Sequence, residues 1–497
     1  MYGVDRVRVS RLEDIFYRSP STRNYQPPRQ RYAEMTVREH QMQRQSPPLN
    51  CAEVRRMFEE RHLDRAKVGI FDVDGILRGK YMGREKFLSA LEKGFGFCDV
   101  VLGWDSNDQL YDNVRVTGWH TAFPDATARI LPATCRDIPF EPNTPLFLAE
   151  FAGAAEAVCP RGTLRRVLER AARMGYSAYA AVEYEFFVFR ETPDSIRAKG
   201  YRDPQTLTPG NFGYSVLRNS VHAEFYQALL EMASSMRMPI ESLHTETGPG
   251  VIEAALAYCG ALEAADRAAL FKTFAKVLAQ RQELMATFMA KWSNRYPGQS
   301  GHLHLSLKRA DGASAFHDSA QPNEMSDEMR WFIGGQQALM PECLAMIACT
   351  VNSYSRLVPG YWAPTAATWG IENRTAALRV IRGGPSAQRV EYRIAAADIN
   401  PYIAIAAAIG TGLWGIEHRI EPDAPIEGNA YDRPASPTRR LPRTLDEAAE
   451  RLHASSAARA LFGDAFIEHF AATRQWEERE FRKAITDWEL NRYFEII

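Results

Sequence analysis

Ionisable side chains recur at every second residue in three short stretches: Glu183-Tyr184-Glu185, His302-Leu303-His304-Leu305-Ser306 and Arg389-Val390-Glu391-Tyr392-Arg393. Side chains alternate across a β-strand, so each stretch is stable only with one polar face and one face on a core. Glu183 and Glu185 share a face, and Val182, Tyr184, Phe186 and Val188 take the other. Leu303, Leu305 and Leu307 likewise back His302, His304 and Ser306, while Val390, Tyr392 and Ile394 back Arg389, Glu391 and Arg393. The expectation is one pocket wall carrying acids, imidazoles and guanidiniums. Carboxylates and imidazole hold divalent cations, and arginines meet phosphate oxygens in a bidentate fork.

A chain of 497 residues divides into two or more domains by the prior of roughly 150 residues each. Sixty basic against sixty-one acidic residues give a net charge of -1, which argues against nucleic-acid and membrane-surface partners. Charged chemistry must therefore be local. Seven cysteines without a CxxC pair fit reduced thiols in a cytoplasmic protein. The N-terminus lacks the apolar core of a secretory signal. The longest apolar run, Pro401 to Trp414, is shorter than the roughly 20 residues of a membrane span and reads as a buried helix.

Residues 1–50, rich in Arg, Gln, Pro and Ser, read as a flexible arm or an oligomer contact. A small β-rich domain is expected over 51–155, beginning with a hairpin from Lys67 to Lys80 that turns at Asp74-Gly75. Phe95-Gly96-Phe97 and Gly103 to Asp108 read as loops between its strands. The second domain, 156–497, starts with a helix carrying Leu164, Val167, Leu168 and Ala171, followed by the Glu183 strand. A long helix is expected from about Leu262 to Met289, an irregular Pro/Arg-rich segment over 419–443, and helices from Leu445 onward. No GxxxxGK[ST] loop is present.

Two more carboxylates, Glu246 and Glu253, flank Gly248-Pro249-Gly250, and that turn can return both to one site. With Glu183, Glu185, Glu391 and His302 they suffice for two or three divalent ions. Oxygen-rich shells favour Mg²⁺ or Mn²⁺. Arg356, Arg374 and Arg379 lie on segments punctuated by Pro and Gly, where fixed positive charge can stabilise a transferring phosphoryl group.

The segments VEYEFF, GQSGHLHLSL, NSYSRLVPGYWAP, ENRTAALR and RVEYRIAAADINPY, in this order, resemble the signatures of the glutamine synthetase superfamily from about Lys67 onward. The resemblance implies an α+β chain with a small N-terminal β-grasp-like domain. The larger C-terminal catalytic domain would hold a mainly antiparallel curved sheet flanked by helices. It also implies a homo-oligomeric ring, decamer or dodecamer, with active sites between subunits. Glu185, Glu246 and Glu253 match ligands of one metal, and Glu183, His302 and Glu391 those of a second. Gly298, Arg356 and Arg393 match the glutamate site. His304, Ser306, Arg379 and Arg389 match the ATP side, and Arg374 matches the group that stabilises the phosphoryl transition state. Asp105, supplied by a neighbouring subunit, and Glu372 are the two candidates for the base that deprotonates the amine.

The implied reaction uses ATP to phosphorylate the γ-carboxylate of L-glutamate, after which an amine displaces phosphate. Family members that use ammonia carry a glutamate in the motif PGYEAP, and this chain has Trp362 at that place, in Pro359-Gly360-Tyr361-Trp362-Ala363-Pro364. An indole cannot replace the carboxylate but offers an apolar wall and a π face. The expectation is therefore a γ-glutamyl-amide ligase for an organic amine such as a polyamine, ethanolamine, a short alkylamine or an aniline, in amine catabolism. A glutamine synthetase using ammonia is the alternative within the fold, and an inactive scaffold or regulator the alternative outside it.

Overall fold

The computed structural model describes residues 49–497, so the arm expected over 1–50 lies outside the described residues except for Leu49 and Asn50. Asn50 caps the first helix of the described residues, Cys51–Glu60, in a reciprocal capping box with Glu53. That helix turns Val54 and Phe58 inward, and Phe58 stacks on Phe87 of helix Arg84–Lys93 at 4.8 Å between ring centroids.

These two helices belong with a six-stranded sheet running Leu77–Gly83, Arg65–Phe71, Pro145–Phe151, Asp125–Ile130, Phe95–Cys98, with Arg136–Asp137 added beside Pro145–Phe151. The expected hairpin is present, registered from Arg65 opposite Gly83 to Phe71 opposite Leu77. Its turn is organised by Asp72, whose Oδ1 accepts from the backbone N–H of Asp74 and Ile76, while Gly75 supplies the left-handed φ of +77°. Phe95-Gly96-Phe97 is a strand, not the expected loop. Phe97 is buried edge-on to Phe151, and at Gly96 a Cβ would stand 2.5 Å from Asp125 Oδ2, so the absence of a side chain leaves room for the Asp125 carboxylate of the paired strand.

The nine-stranded sheet runs Trp369–Ile371, Leu378–Ile381, Arg389–Tyr392, Gly301–Arg309, Tyr176–Phe189, Val251–Leu256, Ile240–Thr245, and two short strands also pair with Tyr176–Phe189. Every pairing is antiparallel except that of Trp369–Ile371 with Leu378–Ile381. The fold is thus α+β, with a small N-terminal curled sheet and a larger, mainly antiparallel sheet flanked by helices. Val182, Tyr184, Phe186 and Val188 are all buried, as are Leu303, Leu305 and Leu307, so the alternation seen in the sequence is the division between core and pocket.

Helix Pro160–Arg173 buries Leu164, Val167 and Ala171. The helix expected to reach Met289 ends at Arg281, and Met285–Thr287 is a strand paired with Phe187–Phe189. The chain reverses at Glu283, whose φ is +56°, which lets Phe288 stack on Phe186 at 5.0 Å. Ladder bonds and an aromatic contact there outweigh continued helical spacing. Residues 419–443 carry only two 3₁₀ turns, and four helices lie between Leu445 and Tyr493.

The apolar run forms helix Pro401–His418, buried for most of its length among Pro160–Arg173, Ala261–Arg281 and Asp327–Cys343. Among the described residues no helix is long and apolar enough to cross a membrane. It meets Asp327–Cys343 through glycines: a Cβ on Gly335 would lie 2.2 Å from Thr411 O and 2.5 Å from Gly415 Cα. Gly335→Ala is therefore expected to cost about 1–3 kcal/mol or more by overpacking, seen as a lower Tm in thermal unfolding. An unchanged Tm would show that the two helices can separate freely.

Candidate active site

The three polar-faced strands are neighbours, and their register sets the charged groups against one another. Glu183 stands opposite His302, Glu185 opposite Glu253, and Glu391 opposite both His304 and Arg379. Beyond them, His244 stands opposite Glu253. Directly opposed residues lie about 5 Å apart, which a long polar side chain bridges without strain.

The polar face floors a cavity of 440 Å³ lined by Glu183, Glu185, Glu246, Glu253, Gly298, His302, Arg356, Trp362, Arg374 and Arg393. Tyr214, Thr247, Pro297, Ser300 and Tyr361 complete it. A second cavity of 350 Å³ on the far side of Glu183 contains His304, Ser306 and Arg389 in its wall, with Tyr179 and Tyr258. Glu183 borders both. Arg379 lines neither and instead bridges Glu391, at 3.0 Å, and Glu372, at 2.6 Å.

The floor holds its carboxyl groups in contrasting electrostatic environments. Burial raises the Glu185 carboxyl above its ordinary range, although its Oε2 accepts the Ser300 N–H at 2.7 Å. Burial, helped by the neighbouring charges of Glu183 and Glu185, pushes Glu253 up to about 8. His244 donates to it across 2.9 Å. Glu183 behaves oppositely: burial works against its charge, but the hydrogen bond from His304 Nε2 at 2.9 Å and the nearby His302 ring hold it below the carboxylate range. Glu391 is held down to about 2, the resistance of burial being outweighed by His302, Arg393, His304 and Arg379.

Burial and then Arg393 depress His302 to about 3, so its imidazole is neutral, the form that binds metals. Both of its ring nitrogens are buried without a hydrogen-bond partner. His244, Glu246 and Glu253 each bring a donor atom within 4.8 Å of the others. An unbonded neutral imidazole beside converging carboxylates, one of them pushed up by its neighbours, fits divalent cations with oxygen-rich shells.

Arg356 enters the cavity from helix Val351–Arg356 and is 3 % exposed. Its Nη1 donates to Ile394 O at 3.0 Å, and burial lowers its pKa to about 10. Gly298 makes room for it, because a Cβ there would meet Arg356 Cγ at 2.6 Å. Arg393 ion-pairs with Glu391, and its Nε donates to Arg374 O.

Two expected residues stand apart from this floor. Asp105 belongs to the smaller sheet's side of the chain, where its Oδ1 accepts the N–H groups of Asn107 and Gln109. Glu372 faces a separate cleft beside Arg374 and is held ionised, burial opposing but the backbone N–H of Arg382 and the Arg379 guanidinium prevailing.

Tyr214, His244 and Ser300 were not singled out in the sequence. His244 sits two residues before Glu246 in the same alternating pattern as His302, a signal that was available. Tyr214, whose ring stacks on His244 at 4.4 Å, comes from a Gly-flanked loop with no periodicity to mark it. Over the mouth, Trp362 is 59 % exposed with φ +60°, and Lys291 Nζ lies 4.2 Å from the centre of the Tyr361 ring.

The sheet thus brings converging acids, a neutral imidazole and buried arginines to one cavity. Residues 157–493 match the glutamine synthetase catalytic domain, and the chain belongs to the glutamine synthetase family of ATP-dependent glutamate ligases. It is 46 % identical to Type-1 glutamine synthetase 2 of Dictyostelium discoideum over 437 residues, covering 87 % of this chain and 84 % of that one. It is also 35 % identical to glutamate–isopropylamine ligase of a Pseudomonas species, over 89 % of this chain and 98 % of that one. Among solved structures, the ADP complex of GmaS superposes with a TM-score of 0.78 at 25 % identity, covering 90 % of this chain and all of that one (100 %).

Proposed function

We propose that this protein is a cytoplasmic ligase joining the γ-carboxylate of L-glutamate to an organic primary amine through γ-glutamyl phosphate, with ADP and phosphate as products, in amine catabolism. The observation that carries the amine assignment is Trp362. It occupies the mouth of the cavity beside Tyr361 and Tyr214, presenting aromatic faces where an ammonium-binding carboxylate would otherwise stand. The likeness to a glutamate–isopropylamine ligase supports it.

Arg356, Arg393 and the backbone at Gly298 hold glutamate in the larger cavity. ATP lies along His304, Ser306 and Arg389, with Arg379 bracing Glu391 behind it. A γ-carboxylate oxygen attacks the terminal phosphorus, the bond to ADP breaks, and Arg374 neutralises charge on the transferring group. The amine nitrogen then attacks the acyl carbon, phosphate leaves, and a carboxylate takes the amine proton. Glu185, Glu246 and Glu253 would hold one Mg²⁺ or Mn²⁺ and Glu183, His302 and Glu391 another, and the bound cations would supply positive charge that offsets the negative charge of the phosphates. Asp105 does not line this chain's own cavity, and as the base it would act in a neighbouring subunit of a ring. Glu372, held ionised by the backbone N–H of Arg382 and by Arg379, is the second candidate.

Ammonia is the second reading, favoured by the 46 % identity to a protein named as a glutamine synthetase. An amine panel at fixed ATP, Mg²⁺ and glutamate separates the two. Phosphate release is expected to be faster with some primary alkyl- or arylamine than with equal ammonium. Ammonium as the best acceptor across the panel would establish the second reading.

A further inference from the structure

Arg356 reaches the cavity from a helix of only six residues, Val351–Arg356, too short to hold its own orientation. Its N-terminal end is clamped from three directions. Asp398 Oδ2 accepts from Thr350 Oγ1 at 2.7 Å and from Ser353 Oγ at 2.6 Å, the two hydroxyls of the helix's capping box. Glu477 accepts the Val351 N–H at 3.0 Å, and Arg474 donates to Cys349 O at 2.6 Å while pairing with Asp74 of the N-terminal hairpin, also at 2.6 Å. At the other end, the Arg356 guanidinium donates to the carbonyls of Ile394 and Arg393. Asp398 and those carbonyls belong to one stretch, 393–398, which continues directly from strand Arg389–Tyr392. Both ends of the helix are thus tied to the strand that carries Glu391, and the mouth loop bearing Trp362 starts where the helix ends.

We infer that Asp398 is a positioning residue for glutamate binding: by holding Thr350 and Ser353 together it fixes the rotation of this helix and so the reach of Arg356 into the cavity. A capping box alone would close the helix start, whereas contacts from outside the helix fix its rotation against the sheet. Among those contacts Asp398 is the one that accepts from both capping hydroxyls and continues the strand carrying Glu391. This rests on the proposed role of Arg356 toward the glutamate carboxylate.

The test compares Asp398→Ala, Thr350→Val, Thr350→Ser and Arg356→Lys by steady-state kinetics against glutamate and ATP separately, with thermal unfolding of each. Losing these buried hydrogen bonds is expected to raise the glutamate KM about tenfold in Asp398→Ala and Thr350→Val, with the ATP KM unchanged. Thr350→Ser, which keeps the hydroxyl, is expected to stay near wild type. Should Asp398→Ala fail to fold, Thr350→Val carries the same test with one hydroxyl removed. A glutamate KM unchanged in Thr350→Val, or a fall in kcat alone, overturns the inference. If Arg356→Lys also leaves the glutamate KM unchanged, it is the assignment of Arg356 that has failed. If Arg356→Lys raises it and Thr350→Val does not, the positioning role alone is wrong.

Discussion

Glu391→Gln is expected to lower glutamate-dependent ATP turnover by at least about a hundredfold with every amine, a loss of the size seen when one transition-state-stabilising group is removed. The carboxylate is 2 % exposed and sits where four partners converge: Arg393, Arg379 at 3.0 Å, the His302 ring at 3.4 Å, and His304 opposite it in the ladder. Its charge therefore offsets two guanidiniums and, in the proposed metal set, would join His302 as a donor. Alanine would also leave those guanidiniums without a counter-charge, a loss of about 3–5 kcal/mol for a broken buried pair, and would confuse unfolding with inactivation. Glutamine keeps the shape and removes the charge. Phosphate release measured beside a Tm isolates the chemical effect, and a folded Glu391→Gln enzyme that retains turnover would remove Glu391 from the proposed metal set.

Trp362→Glu is expected to invert the amine preference. Organic-amine kcat/KM falls by about tenfold to a hundredfold, the range for losing apolar contact in a specificity pocket, while ammonium kcat/KM rises because a carboxylate now faces the incoming cation. The comparison is clean for two reasons. Trp362 is 59 % exposed, so little core is lost, and its φ of +60° is a left-handed conformation that glutamate occupies at a similar cost of about 1–3 kcal/mol. Trp362→Phe, which keeps an aromatic face, should retain most of the amine activity. An amine ranking left untouched by Trp362→Glu would show that the acceptor is selected elsewhere, with Tyr214 the next residue to replace.

What could be read locally held up where one period governed a segment. Val182, Tyr184, Phe186 and Val188 alternate with polar residues because a strand has period two, and all four are buried. The hairpin at Asp74-Gly75 and the helix at Pro401 follow from turn chemistry and an unbroken apolar run. Phe95-Gly96-Phe97 and Met285–Thr287 misled for a shared reason: each is a short strand formed by pairing with a distant partner, Asp125–Ile130 in one case and Tyr176–Phe189 in the other. The same limit applies at the site. His302 and the paired glutamates announced themselves by spacing, whereas Tyr214 reaches the cavity on an irregular loop.

The amino-acid sequence alone determined which side chains share a face, because alternation along a strand depends on nothing beyond that strand. It also determined that the face carries acids, imidazoles and arginines, with an indole on the loop above. Tertiary structure alone decided the register that sets Glu185 against Glu253 and Glu391 against His304 and Arg379. The pairings of Glu185 with Glu253 and of Glu391 with His304 span many tens of residues, and a slip by one would turn every polar group into the core. Burial of the opposite face holds the register, and in doing so it brings the charges close enough to separate Glu253, pushed up to about 8, from Glu391, held near 2.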